Sequence, residues 1–222
     1  MVHKLTQLIQ SVPTMMTVFL PTMIARKLVK DDKLIEHFNE DKSLVRDRLQ
    51  VITDVMTEFA RICIESGSTG LFIATQETTS HDGWNPDIWS ELALPFDKQI
   101  VDTLRTKAEF QVLHLHGDDI FFKDVLSKIR VDAINFHSFE NFPQYFSSAT
   151  MKNIFNGGLL GGLDKNHFLI SSSIDESDEN NLNKLISSLD PILDRIILAP
   201  NCVLPQSLSD DNLVNIVNKL RV

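Results

Sequence analysis

The sequence predicts an α/β protein in which parallel strands and helices alternate, as in an incomplete (β/α)8-type barrel. Three observations support this fold class. Short apolar segments that suit buried strands alternate with longer amphipathic segments, making about six β-α units. Polar residues with catalytic potential lie just beyond the apolar segments, where parallel α/β folds carry their chemistry. No linker, repeat or low-complexity tract divides the chain, so we expect one domain over residues 1–222.

The first part of the chain carries the clearest helical signal, expected to run from Ser43 as N-cap to Glu65 and to stop at Ser66 and Gly67. Its apolar residues are three or four positions apart and would form one buried stripe: Val45, Leu49, Ile52, Met56, Phe59 and Cys63. Cys63 is therefore interpreted as a core residue. Strands are predicted at Met15–Phe19 and at residues 69–75, 110–116 and 131–137, with helices at 86–107 and 121–128.

The second part continues the alternation. The predicted order is a helix at 144–151, a weaker strand at 154–162, a helix at 179–189, a strand at 195–200 and a closing helix at 209–220. The apolar stretch from Val12 to Ala25 contains two prolines and is far shorter than a membrane span, so it predicts a strand and loop rather than a signal or membrane segment.

The composition excludes several classes of partner. A formal net charge of −9 and an isoelectric point near 5.2 argue against nucleic acid and against an anionic membrane surface, since both favour clustered Lys and Arg. Two cysteines far apart in sequence form no disulfide framework and suit a reducing compartment, which predicts a cytoplasmic protein.

The segment Val112-Leu-His-Leu-His-Gly117 ends an apolar run with two histidines. Side chains alternate along a strand, so His114 and His116 would share one face. Two crowded imidazoles suit a zinc ion, and Cys202 after the last predicted strand would supply a thiolate as third ligand, leaving one open position. The alternative is that both histidines only hydrogen-bond to neighbouring loops. Taken alone, His81 and His137 are more often structural.

Seven segments, in their order and separations, carry a family resemblance: VPTMMTVFLPTMIARKL, LFIATQETTS, LPFDKQIVDTL, LHLHGDD, VDAINFH, LLGGLD and LAPNCVLP. Together they look like the C-terminal two thirds of the uroporphyrinogen decarboxylase superfamily. The resemblance implies a TIM barrel. It also implies one of two activities, decarboxylation in haem synthesis or cobalamin-dependent methyl transfer to a thiol such as coenzyme M.

The methyltransferase branch of that superfamily holds zinc with a His-x-Cys pair and a later Cys. The resemblance then assigns zinc to His114, His116 and Cys202, with His116 standing where the branch has Cys. It also implies a corrinoid carried by a partner protein and a thiol substrate. The remaining strand-end residues are assigned to catalysis or to substrate binding. Catalytic roles are expected for Asn135, His137 and Asp164, and substrate-binding roles for Gln76, Glu77 and His81.

Two other functions remain open at the level of sequence. Decarboxylation of a porphyrinogen is disfavoured because the predicted loops 75–85, 137–145 and 199–206 contain no Lys or Arg for a polyanionic tetrapyrrole. The chain is also shorter than the ~250 residues of a complete barrel. We therefore expect either a homo-oligomer or a partner that completes the barrel, and a non-catalytic binding protein is the third alternative.

Overall fold

The structure is a computed structural model that describes residues 2–9, 12–29, 33–137, 139–163, 184–200, 202 and 214. The chain divides into two compact units, Met1–Ile134 and Asn135–Val222. Six strands form one sheet in sequence order, which is the α/β arrangement predicted for part of a (β/α)8-type barrel. They are β1 (Met15–Phe19), β2 (Gly70–Ala74), β3 (Phe110–Leu115), β4 (Ala133–Phe136), β5 (Gly158–Leu163) and β6 (Ile196–Pro200).

The strand pairing in the first unit positions the candidate site. β1 pairs with β2 and β2 pairs with β3, both in parallel, and the register places Ala74 of β2 opposite His114 of β3. Five of the six residues of β3 are buried. A strand buried on both faces is typical of a parallel sheet covered by helices, which explains the nearly continuous apolar run.

The helices of the first unit are α1 (Val2–Leu8), α2 (Pro21–Val29), α3 (Lys33–Glu40), α4 (Lys42–Glu65), α5 (Pro86–Ile88), α6 (Leu94–Leu104) and α7 (Phe122–Lys128). From α4 onward they alternate with the strands as predicted, but α1, α2 and α3 were not predicted. The loop expected after β1 is wrong, because α2 begins at Pro21, and proline suits the first position of a helix, where the amide hydrogen has no helical partner. A 3-10 turn spans Gln76–Thr79 directly after β2. None of the described helices is long and apolar enough to cross a membrane.

Helix α4 differs from its prediction at its start and in its buried face. The N-cap is Asp41, whose Oδ1 accepts a hydrogen bond from the Leu44 amide at 2.9 Å, and not Ser43. Val45, Leu49 and Cys63 are buried as predicted, but Phe59 remains 39% exposed. The packing of α4 against α2 and α6 turns Thr53 and Ala60 inward instead.

The helix predicted at 86–107 consists of three pieces. A π turn over Trp89–Ala93 separates α5 from α6. Pro95 lies in the first turn of α6, and because proline has no amide hydrogen it breaks the hydrogen-bond ladder of a continuous helix. The wider π turn accommodates this break.

The second unit contains α8 (Phe142–Ser147) and α9 (Ala149–Ile154), where one helix was predicted at 144–151. Ser148 separates them because its backbone is extended, with ψ of 144°, and its Oγ caps α9 by accepting from the Met151 amide. The strand predicted from residue 154 starts only at Gly158, since α9 continues to Ile154. β5 pairs with β6 in parallel.

Some predictions fall largely on residues outside the described part of the chain. Within the helix predicted at 179–189, residues 184–188 are described and helical, and a 3-10 turn follows at Asp190–Ile192. Of the closing helix predicted at 209–220, only Val214 is described, and it is helical. Asp164 also lies outside the described residues.

Candidate metal centre

The two histidines lie side by side at the end of β3. His114 is the fifth residue of the strand and His116 follows the strand's last residue. Their ring centroids are 5.7 Å apart with planes tilted by 57°. Leu113 and Leu115 are fully buried, as expected if they point to the opposite face. The period of the strand therefore produces the shared face that the sequence predicts.

The backbone that carries the pair is held on both sides. The carbonyl of His114 accepts hydrogen bonds from the amide and from the Oγ1 of Thr75, both at 3.1 Å. The turn after His116 depends on Gly117, whose φ is +120° and where a Cβ would lie 2.5 Å from the Ser80 side chain. Only glycine fits this position without displacement, so the turn fixes the direction of the chain leaving His116.

A ring contact that the sequence does not signal orients His114. Its imidazole stacks on Phe72 of β2, with centroids 5.2 Å apart and planes only 27° from parallel. His114 is 8% exposed. A buried, stacked ring loses little further freedom when it binds a ligand, so this contact preorganises one donor.

Glu77 connects the histidine pair to a buried cation. Arg26 of α2 is 8% exposed and its guanidinium pairs with Glu77 Oε2 at 3.0 Å. The other oxygen, Oε1, lies 3.9 Å from His116 Nε2. This separation is too long for a hydrogen bond. Arg26 comes from the helix after β1, outside the loops in which the sequence shows no cation.

The other predicted substrate-binding residues lie in the loop after β2. Gln76 is half-buried and adopts a left-handed backbone conformation, with φ of 52°, at the start of the 3-10 turn. His81 is exposed, its amide donates to the Asp119 carbonyl at 2.9 Å, and its ring meets Phe121 edge to face. A substrate role for either residue stays a prediction.

In the second unit, Asn135 of β4 is 5% exposed, and its Nδ2 lies 3.0 Å from the Leu160 carbonyl and 3.3 Å from the Pro200 carbonyl. The amide thus ties β4 to β5 and to the end of β6, directly before the segment that carries Cys202. His137 follows β4 and is half-buried, as is Cys202.

His114, His116 and Cys202 each offer a ligand atom, and these atoms all lie within 4.8 Å of one another. Donors around a tetrahedral zinc ion are about 3.3–3.6 Å apart, given bonds of about 2.0–2.3 Å. Two imidazoles and one thiolate are among the ligands zinc prefers. The donor set therefore fits zinc.

Fold and donor set together describe an α/β protein of the (β/α)8 type with a candidate metal centre at strand ends. A family model described as uroporphyrinogen decarboxylase matches residues 1–221, so the chain belongs to this family. A methyltransferase from Methanosarcina mazei has a similar structure, with a TM-score of 0.75 at 16% sequence identity. The match covers 98% of this chain and 61% of that one. Comparison with curated proteins finds no match.

Proposed function

We propose that this protein is a zinc-dependent methyltransferase of the uroporphyrinogen decarboxylase family, transferring a methyl group from a corrinoid to a thiol. The convergence of His114, His116 and Cys202 within 4.8 Å is the observation that carries the proposal. Family membership alone supports either activity, because a fold hosts several chemistries. A thiolate that can bind zinc favours thiol chemistry over decarboxylation, because decarboxylation does not require a thiolate ligand.

Bound zinc would supply Lewis acidity that lowers the pKa of a substrate thiol in its fourth position. In the transfer, the thiol would lose its proton to solvent, its sulfur would form a bond to the methyl carbon, and the cobalt–carbon bond would break with its electron pair remaining on the corrinoid. A zinc site with two neutral imidazoles and one thiolate is about one charge unit more positive than a site with one imidazole and two thiolates. The more positive site favours the deprotonated substrate thiol but makes its sulfur a weaker nucleophile.

The surrounding residues have positioning roles in this proposal. Glu77, held by Arg26, would accept a hydrogen bond from the ring nitrogen of His116 that does not bind metal, after closing the present 3.9 Å. Asn135 would hold the strand end before Cys202 through its two backbone contacts. His137 and Asp164 would act on the substrate, and Gln76 and His81 would contact it.

The proposed partners follow from the same chemistry. A corrinoid would arrive on a separate protein, and the thiol would be a small molecule. We place the reaction in the cytoplasm because free thiols such as Cys63 and Cys202 persist in a reducing compartment.

Metal analysis and a methyl-transfer assay test the proposal. We expect about one zinc per chain by mass spectrometry, and a drop of at least about tenfold in occupancy for Cys202→Ser, since even indirect changes at zinc sites cost about that much. Zinc-loaded protein should demethylate free methylcobalamin in the presence of 2-mercaptoethanesulfonate, followed by the change in the visible spectrum.

The matched control is Cys63→Ala, which removes a cysteine from the core of α4 and should leave zinc occupancy unchanged. Equal zinc content in wild type and Cys202→Ser would refute the ligand set. Zinc binding without methyl transfer above the rate of the thiol alone would retain the metal site and overturn the proposed reaction.

A further inference from the structure

A cavity of about 470 Å³ lies in the first unit, between helices α2 and α3 and the loop that follows the 3-10 turn after β2. This volume is in the range of pockets that hold small molecules. Side chains of three kinds line the cavity, namely a cation, polar or acidic groups and apolar groups. They belong to Arg26, Ile35, Glu36, Asn39, Asp82 and Trp84. The three residues of the candidate metal centre are not among them.

The cation, Arg26, has one edge of its guanidinium without an acceptor. Its Nη1 donates to Glu77 Oε2 at 3.0 Å, whereas Nε is buried, and neither Nε nor Nη2 donates a hydrogen bond within the described residues. These two N–H groups form a planar fork that matches the two oxygens of a carboxylate. Arg26 is only 8% exposed, and a buried donor without an acceptor costs free energy. The edge therefore favours a ligand that carries a carboxylate.

The charges around the cavity disfavour a ligand that is only an anion. Glu77 already lies against the guanidinium, and Glu36 and Asp82 add two further carboxylates. Glu36 pairs with Lys33 at 2.5 Å. Asp82 accepts a hydrogen bond from Ser80 Oγ at 3.1 Å and has no cationic partner in the part of the chain that the structure describes. A ligand that carries an ammonium group as well as a carboxylate would satisfy both the unpaired carboxylate and the guanidinium edge.

The apolar residues of the cavity indicate what else the ligand carries. Ile35 is half-buried and Trp84 is 4% exposed. Contact with an apolar ligand group would remove the remaining apolar surface of both side chains from water, which is favourable. An acidic ligand group would instead be repelled by the carboxylates of Glu36 and Asp82.

We propose that this cavity binds a free α-amino acid with an apolar side chain. The ligand carboxylate binds Nε and Nη2 of Arg26, the ligand ammonium group binds Asp82, and the ligand side chain packs on Ile35 and Trp84. The site is separate from the candidate metal centre. The proposal does not depend on methyl transfer, and metal-free protein serves to test it.

Isothermal titration calorimetry with L-leucine and two of its analogues tests the class of ligand. Isocaproate lacks the ammonium group of L-leucine, and isoamylamine lacks its carboxylate. We expect L-leucine to bind at least about tenfold more tightly than either analogue, since each missing group removes hydrogen bonds to a charged partner. L-Aspartate should bind more weakly than L-leucine because its side chain is acidic.

Two variants test which residue binds which end of the ligand. Asp82→Asn should weaken L-leucine by about threefold to fivefold, the usual range for an exposed ion pair, and should not weaken isocaproate. Arg26→Lys keeps the charge but loses the planar fork, so it should weaken both L-leucine and isocaproate by at least about tenfold and leave isoamylamine unchanged. Asp119→Asn is the matched control, because it makes the same change in the neighbouring loop outside the cavity.

Circular dichroism establishes that each variant is folded. If Arg26→Lys does not fold, Asp82→Asn decides, because Asp82 is exposed and its substitution leaves the core intact. Absence of binding by L-leucine, L-methionine and L-phenylalanine would overturn the proposal, as would equal affinities for L-leucine and isocaproate. An Asp82→Asn variant that binds L-leucine as tightly as the wild type would overturn the assignment of the ammonium group.

Discussion

Asp97 is a carboxyl group that the fold buries completely. It lies on α6, is 0% exposed, and neither of its oxygens has a hydrogen-bond partner among the described residues. Burial raises its pKa to about 8, and the nearby Trp89 indole and Thr22 hydroxyl offset this only in part. The carboxyl is therefore protonated in the folded protein at neutral pH, while it ionises in the unfolded chain near its ordinary value of 3.8.

This difference gives stability a definite pH dependence. As the pH rises from about 4 to about 8, ionisation of Asp97 stabilises the unfolded chain, so the free energy of unfolding falls. Above pH 8 the carboxyl is ionised in both states and the decline ends. Asp97→Asn cannot ionise and should remove this slope. At about 1.4 kcal/mol per unit of pKa difference, we expect a gain of about 2–4 kcal/mol at pH 7.

Urea denaturation of wild type and Asp97→Asn at pH 5, 7 and 9 measures the effect. Asp102→Asn is the control, since Asp102 lies exposed on the same helix and pairs with Lys98. The same change in the free energy of unfolding between pH 5 and 9 in wild type and in Asp97→Asn would contradict a buried neutral carboxyl.

At the scale of the element, the start of α4 depends on Asp41. Its Oδ1 satisfies the Leu44 amide, one of the four amides that a helix leaves without partners. Asp41→Ala should lower the free energy of unfolding by about 1 kcal/mol. Ser43, which the sequence favours as cap, lies inside the helix, so Ser43→Ala should change stability by less than about 0.5 kcal/mol. A larger loss for Ser43→Ala in chemical denaturation would contradict the observed boundary.

For the whole molecule, the charge balance predicts that uroporphyrinogen is not a substrate. The chain has a net charge of −9, the sequence segments 75–85, 137–145 and 199–206 contain no Lys or Arg, and the guanidinium of Arg26 is paired with Glu77. A tetrapyrrole with about eight carboxylates would find little compensating charge there. We expect no coproporphyrinogen by chromatography after incubation at micromolar substrate. Turnover that persists in a metal-depleted sample would establish the decarboxylase activity instead.

The order of the strands and the position of α4 followed from the sequence because periodicity reports burial directly. Buried strands appear in the sequence as apolar runs, and all six described strands lie where predicted to within a few residues. The apolar residues of α4 have helical spacing, which predicted that helix. The pairing of His114 with His116 on one face required only the two-residue period of a strand. Breaks within helices were harder to predict from the sequence, although Pro95 is a signal for the break at the π turn.

Contacts between distant segments were decided by the tertiary structure alone. Nothing in the sequence near Glu77 indicates Arg26, and nothing near His114 indicates Phe72, because each pair joins residues from different elements of the sheet and its helices. The outward turn of Phe59 likewise depends on how α2 and α6 pack against α4. Local sequence determines what each element is, because periodicity and capping act over a few residues. Packing determines which side chains meet, because it sums weak contacts from the entire chain.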